Sequence, residues 1–490
     1  MIGVFCLPVF FVRQNHQGFC GIMEVLHQSF TPKITVSHYD NGTKKYSEDG
    51  YLIFDAAATN NKNLLSYTYE RSIDNFAGSF SFSYKESASR NVEPVMDKFQ
   101  MLDIVKIYEF NKLVFIGILT DVSFSAQSGT VQKRVTISGK SAEYLFEILQ
   151  ISLDVAALSA AGKGKTEGLN LTFITEVNKK DSDGTKQTTI ADGIKNAYNS
   201  FLKTLEQYKD ISSIQIREMI KNVFGSDDIS TYLECEKIEF LYPISSQLYQ
   251  NKTVKFFDFV RNLLPSPVYE IFGEIGGNDK PKIRIRECPF DKKVWSKLPC
   301  YTISPVLLTS YSFSKSCTEV YTVFLSYLEG SLLSPDYFKK INGSDKGYTA
   351  AGECKGKIAV YGFRPMEVTF VGFCNGETED EKKAANDNLN SNIADLNNRL
   401  AEWFGHFDEM MQGNISIVNV EQRNTRKSRI GERIRLGSNE FYVKSEKHEW
   451  AYETAPTISY SVDRGGRYSL QGVFSPCKNI SKFLGEFETL

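Results

Sequence analysis

The feature that most constrains this chain is an alternating β pattern that occurs twice, far apart. Ser66-Tyr67-Thr68-Tyr69-Glu70-Arg71-Ser72 is echoed by Ser310-Tyr311-Ser312-Phe313-Ser314-Lys315-Ser316. Each copy is followed by another alternating segment, with Phe80, Phe82 and Tyr84 after the first and Val323, Leu325 and Tyr327 after the second. A second pair also rhymes. Val105-Lys106-Ile107, a polar turn and Phe115-Ile116-Gly117-Ile118 parallel Ile434-Arg435-Leu436, a polar turn and Phe441-Tyr442-Val443. A chain that repeats a β unit points to a pseudo-symmetric scaffold rather than to a single active site.

Composition agrees with that class. The 490 residues allow two to four domains. The 35 Phe and 25 Tyr, often alternating with Ser and Thr, favour a half-buried pleated surface. The expected fold is mainly β with helical insertions (α+β). A net charge of −2 carries no overall signature of nucleic-acid binding. The nine cysteines contain no CxxC pair, so reduced thiols are expected rather than a zinc or redox centre. The apolar run from Val4 to Val12 has no preceding Lys or Arg and is ended by Arg13. It is too short to span a bilayer and reads as a leader or an added strand. No other segment is a transmembrane candidate.

Along the chain, residues from Phe30 to Gly139 read as strands with turn signals, and Ser141 to Leu149 as a short closing helix. Ala156 to Gly184, rich in Gly, Lys, Asp and Thr, reads as an excursion. Ile194, Tyr198, Phe201, Leu205 and Tyr208, then Ile216, Met219, Ile220 and Val223, recur at helical spacing and predict core faces. Thr253 to Leu264 predicts a helix stopped by Pro265. Val268 to Ile275 and Lys282 to Arg286 predict a hairpin about Gly276-Gly277-Asn278-Asp279. From Glu377 to Met411, the residues Leu389, Ile393, Leu396, Leu400, Trp403, Phe407 and Met410 alternate spacings of four and three. That predicts one helix with a single apolar seam, packed either on its own chain or on a neighbouring subunit.

Motifs of chemistry are sparse. Gly162-Lys163-Gly164-Lys165-Thr166 resembles the end of a phosphate loop, but Ser159 stands where the first Gly is required, so a solvated loop is expected. The five histidines form no metal pair. His448 alternates with Trp450 and Tyr452, which predicts a packed strand face. Carboxylate pairs such as Asp227 with Asp228 fall in helix-start or loop contexts, and a hydrolase dyad needs a separation that sequence does not supply. No catalytic residue, cofactor or metal is expected. Arg423, Arg426, Lys427, Arg429 and Arg433 form one basic cluster between two strands. It reads as a solvated hairpin tip, or as contact with an acidic partner or DNA in a channel.

Three groups of segments resemble the baseplate hub family of phage tails and contractile injection systems. The first is Tyr67 to Tyr84 with Phe115 to Val122 and Val135-Thr136-Ile137-Ser138-Gly139-Lys140-Ser141, similar to a strand, a polar hairpin and a "G-[KR]-[ST]" strand end that opens a helix. The second is Ile285-Arg286, Pro289-Phe290-Asp291 and Trp295, followed by Tyr311 to Ser314 and Val320-Tyr321. The third is Phe441-Tyr442-Val443 with His448-Glu449-Trp450 and Val462-Asp463-Arg464-Gly465-Gly466. Their order along residues 60–466 is the stronger signal. The leader through Met23 and the block Ile190 to Gly225 depart from the family core, and the latter reads as a side domain docking a baseplate component.

The resemblance implies a homotrimer with two tail-tube-like β-barrel domains per chain. Such a ring joins a six-fold tube to a three-fold spike and lines an axial channel. It implies as partners the central spike protein, the tail tube protein and the tape-measure and other baseplate proteins, with DNA passage through the channel. The location implied is the baseplate of a virion or tail-like particle assembled in the bacterial cytoplasm. The expected division is an extension at 1–28, a first tube-like domain at 29–150, a loop and helical insertion at 151–232 and a connecting α+β domain at 233–302. A second tube-like domain at 303–466, with the inserted helix 377–411, and a tail at 467–490 complete it. The short tail is expected to leave the spike to another protein. Two other readings stand beside the hub: a β-rich carbohydrate- or cell-surface-binding module, and a tail-associated peptidoglycan hydrolase.

Overall fold

Period-two alternation builds the first unit as expected. The computed structural model describes residues 32–47, 52–55, 64–86, 95–126, 133–152, 211–236, 253–328, 352–370, 395–419, 428–452 and 454–476, with 30, 194, 195, 198, 199 and 202. Strands β1 (Lys33–Ser37), β2 (Leu52–Asp55), β3 (Leu64–Ser72), β4 (Ser79–Glu86), β5 (Ile104–Glu109), β6 (Lys112–Ala126) and β7 (Lys133–Ser141) form its sheet. Their spatial order is β2-β1-β5-β6-β7-β4-β3. Phe80, Phe82 and Tyr84 share one buried face with Tyr67 and Tyr69. The sheet curls, because Phe54 of edge strand β2 meets Phe82 at 5.3 Å and Tyr84 at 5.0 Å between ring centroids. Burial of each such ring contributes about 1.5–3 kcal/mol.

A second block fills the middle of the chain. Strand β8 (Leu233–Cys235) runs parallel to β10 (Pro281–Glu287), which pairs with β9 (Tyr269–Ile275) in the expected hairpin. Helices α1 (Tyr144–Ile148), α2 (Ile211–Phe224) and α3 (Phe256–Leu263) pack beside it. The helix predicted from Thr253 starts later, because Thr253–Lys255 pairs with Gln150–Ser152 as a strand. Met219, Ile220 and Val223 of α2 share one core with Ile104, Ile116 and Ile118, so this helix is packed on the outer face of the first unit. Among the described residues, no helix is long and apolar enough to cross a membrane.

The second unit is formed by β11 (Cys300–Thr302), β12 (Leu308–Ser314), β13 (Met411–Val418), β14 (Arg433–Leu436), β15 (Asn439–Ala451) and β16 (Thr457–Tyr468). β12, β13, β16, β15 and β14 follow one another in space, as β3, β4, β7, β6 and β5 do in the first unit. The same five-strand order therefore occurs twice. Two of the irregularities also coincide. The β3–β4 ladder bulges between Leu64 and Ser66, and β12–β13 between Leu308 and Ser310. The β6–β7 ladder bulges between Leu119 and Asp121, and β15–β16 between Val443 and Ser445. Bulges are local, specific features, so matched bulges fix the residue equivalence of the two units.

That equivalence corrects two parts of the sequence reading. Ser66 to Glu70 does match Ser310 to Ser314, but the strand equivalent to β4 is β13, not the segment around Val323. Val323–Leu328 instead pairs in parallel with Pro365–Phe370 in a separate small sheet. Among the described residues, the chain leaves the second unit's sheet after β12 and rejoins it at Met411. Alternation alone could not separate these, since both segments are strands. The hairpins match as expected, but two residues out of register: Leu119 corresponds to Val443, so Gly117 rather than Phe115 corresponds to Phe441.

The helix predicted over 377–411 is described as helix only at 395–404. A 3₁₀ turn at Phe407–Glu409 follows, and Met411 already begins β13. Leu389 and Ile393 lie outside the described residues. Leu396, Leu400 and Trp403 are buried within one copy of the chain, in the core shared with α1–α3, and Phe407 is half-buried.

Candidate functional site: a buried seam between two repeated sheets

The two units are one continuous sheet. β15 pairs antiparallel with β3, matching Trp450 to Tyr67, His448 to Tyr69 and Glu446 to Arg71. Both strands alternate, so these six side chains turn to the same face. The His448 ring stacks on Tyr69 at 4.4 Å, and Trp450 on Tyr67 at 5.9 Å. Trp450 thus completes the first unit's core from the second unit's strand.

A charged cluster sits under this stack. Val105, Ile107 and Glu109 share one phase of β5, which places the Glu109 carboxylate inside rather than at a solvated strand end. It accepts hydrogen bonds from Tyr67 Oη at 2.7 Å and Asn419 Nδ2 at 2.8 Å, and faces His448 Nδ1 at 3.3 Å. Glu109 is 4% exposed and His448 5%. Burial alone would raise the Glu109 carboxyl, but the His448 charge and the hydrogen bonds from His448, Tyr67 and Asn419 hold it below its ordinary value. Burial would lower His448, but the charge and hydrogen bond of Glu109 raise it. Four segments from both units therefore meet on one ion pair.

A second node ties the middle block to the second unit. Arg286 on β10 faces Glu270 on β9 in the hairpin register. Its guanidinium donates to Glu270 at 2.9 Å, to the Gly431 carbonyl at 2.8 Å and to Tyr442 Oη at 2.8 Å. Tyr442 in turn donates to Glu270 at 2.5 Å. All three side chains are buried. A third node explains the Arg464-Gly465-Gly466 motif. Arg464, at φ 56°, donates to the Trp403 carbonyl at 2.6 Å and lies 3.3 Å from the Phe290 ring centroid. The next two residues must be small, because a Cβ on Gly465 would meet the Phe441 ring at 2.3 Å and one on Gly466 the Phe474 ring at 2.3 Å.

The basic cluster is not one exposed patch. Arg423, Arg426 and Lys427 lie outside the described residues. Arg429 covers the Tyr301 ring at 3.7 Å and pairs with Glu432 at 3.4 Å. Arg433 is buried, pairs with Glu440 at 2.6 Å and donates to the Leu298 carbonyl at 2.8 Å. For these two the expected partner or channel surface is corrected: internal carboxylates and carbonyls take their donors. Sequence reasoning missed Glu109, Asn419 and Glu270, although the inward phase of Glu109 after Val105 and Ile107 was a readable signal.

Chemically, these nodes are fastenings. Their carboxylates are held by arginine, histidine and tyrosine donors. Among the described residues, no group of three or more His, Cys, Asp and Glu could hold a metal ion. Cys235, Cys288, Cys300 and Cys317 are free thiols.

No family model and no curated protein matches the chain. Solved structures similar to it include phage tail proteins. A tail protein from Neisseria meningitidis MC58 aligns at 9% identity and TM-score 0.44 over 89% of this chain and 96% of its own. The 43 kDa tail protein of prophage MuSo2 from Shewanella oneidensis aligns at 9% identity and TM-score 0.45, over 91% and 100%. Prophage tail protein gp18 from Listeria monocytogenes EGD-e aligns at 10% identity and TM-score 0.38, over 94% and 98%.

Proposed function

We propose that this chain is a structural baseplate hub of a phage tail or phage-tail-like contractile particle. The observation that carries the reading is the duplicated five-strand order, with coincident bulges, inside one continuous sheet. A chain with two equivalent units presents six equivalent units when three copies assemble. Such a homotrimer joins a six-fold tail tube on one side to a three-fold central spike on the other. The sequence resemblance to hub proteins supports the same reading, and tape-measure and other baseplate proteins are its further neighbours. Its action is mechanical: it holds the spike, seats the first tube ring and leaves an axial channel for DNA or effector passage. Buried, internally paired nodes suit that load-transmitting role, and no catalysis is assigned to it. The particle baseplate, built in the host cytoplasm, is its location.

Light scattering on the purified chain, followed by electron-microscopy class averages, tests this. The expected result is a three-fold ring of six similar lobes around a hole. A chain that stays monomeric at every concentration, including with its tail's spike and tube proteins present, overturns it.

A further inference from the structure

The face of the continuous sheet that points away from its core carries a pattern of its own. The ladders align Ser310, Ser416, Ser459, Lys447, Glu70 and Ser79 in one row across β12, β13, β16, β15, β3 and β4. A second row aligns Thr457, Glu449, Thr68, Ser81 and Ser138 across β16, β15, β3, β4 and β7. None of these residues is buried. Both rows cross the β15–β3 seam without a break, so the two units present one surface.

Short hydroxyls dominate this surface. Ser416 and Ser459 share a hydrogen bond at 2.9 Å in the second unit, and Ser66 and Ser83 one at 2.8 Å in the first. Charge is balanced locally, since Lys447 lies opposite Glu70 and pairs with Glu449 at 2.6 Å. The sequence also marks where the face is covered. Beyond Ser79 the first row continues through Lys140 to Ile118 and Ile104. Those two isoleucines are buried in the core shared with α2. Apolar residues thus stand where α2 packs, and hydroxyls where it does not. The core of a protein–protein interface is rich in aromatic and apolar side chains. A surface that holds a polyanion is rich in Lys and Arg. The two rows have no aromatic residue and a single lysine that is already paired. What remains is a smooth, hydrated and nearly neutral wall.

We propose that this hydroxyl face lines the axial channel of the assembled ring, with its rows turned to the water of the lumen. The inference rests on the hub reading above and names the residues of its channel wall. Short side chains keep the lumen wide, and balanced charge lets cargo pass without being held.

Ser81→Cys and Ser459→Cys, one in each unit, test it in the full chain. Each variant is assembled, labelled with a maleimide-linked gold cluster and compared with the unmodified chain, whose nine cysteines set the background. Both variants are expected to add gold density in the central hole of the class averages, beyond that of unmodified rings. Their new thiols are expected to react with N-ethylmaleimide as fast in rings as in single chains. Gold on the outer rim makes the face an outer surface, and thiols that lose reactivity on assembly make it an interface between copies. Either result, from either variant, overturns the channel wall and leaves the hub reading standing. A chain that forms no ring, even with its tail's spike and tube proteins present, overturns both.

Discussion

Glu109 and His448 lie 339 positions apart in sequence and 3.3 Å apart in the fold. Their contact exists because β15 of the second unit docks on β3 of the first, and it is buried on all sides by Tyr67, Tyr69 and Trp450. Replacing His448 with Ala leaves a buried carboxylate without its cation, and a loss of about 3–5 kcal/mol is expected. Urea denaturation of the wild-type and variant chains measures it.

The same pair sets a pH dependence. His448, raised above its ordinary 6.5, contributes stability that is complete below pH 6.5 and lost as pH rises through its folded value. Glu109, held below its ordinary 4.5, contributes stability that is complete above pH 4.5 and lost as pH falls through its folded value. The pair therefore contributes most between pH 4.5 and 6.5. The difference in melting temperature between wild type and His448→Gln should peak in that window and shrink on both sides. A flat difference across pH would show that the pair is not ionised in the fold.

Arg286 is expected to couple strongly to Glu270. Arg286→Met alone strands a buried carboxylate and should cost about 3–5 kcal/mol, while Arg286→Met with Glu270→Leu should cost much less than the sum of the single changes. A double-mutant cycle followed by chemical denaturation reads the coupling. Additive single effects would mean that Tyr442 and the Gly431 carbonyl, rather than Glu270, hold the guanidinium.

Trp403 separates packing from hydrogen bonding. Its side chain is fully buried in one copy, and Nε1 finds no acceptor among the described residues. Trp403→Ala should cost about 3–5 kcal/mol through the cavity it opens. Trp403→Phe removes an unsatisfied donor and should recover most of that loss. Trp403→Asp should abolish soluble folded protein. Thermal unfolding orders the Ala and Phe variants and soluble yield reads the Asp variant; equal losses for Phe and Ala would place an acceptor at the indole nitrogen.

Gly139 explains the glycine in the Gly139-Lys140-Ser141 strand end. A Cβ there would meet the Ile118 carbonyl oxygen at 2.1 Å and the Phe80 ring at 2.6 Å. The carbonyl belongs to a ladder and cannot swing aside. Gly139→Val is expected to destabilise by about 1–3 kcal/mol through overpacking. Ser141 completes the turn, since its hydroxyl accepts from Gly78 N at 2.8 Å. A variant with an unchanged denaturation midpoint would show that β6 and β7 separate freely at this point.

The amino-acid sequence by itself determined the strands, their inward faces and the existence of the repeat, because period-two alternation and turn residues are local properties. Tyr67, Tyr69, Phe80, Phe82 and Tyr84 all face inward as their spacing requires. Trp403, Leu400 and Leu396 lie on a helical stripe that is buried as its periodicity requires. The tertiary structure alone decided which strands pair. Met411–Val418, and not the equally alternating Val323–Leu328, neighbours Leu308–Ser314, because ladder partners are chosen by backbone edges and matched bulges rather than by side-chain period. It also decided the fate of charge. Arg433 looks solvated in sequence and Glu109 shows no more than an inward phase, yet each is buried against partners brought from distant segments. Electrostatic meaning follows from neighbours in space, and a long-range antiparallel pairing such as β15 on β3 has no local signature.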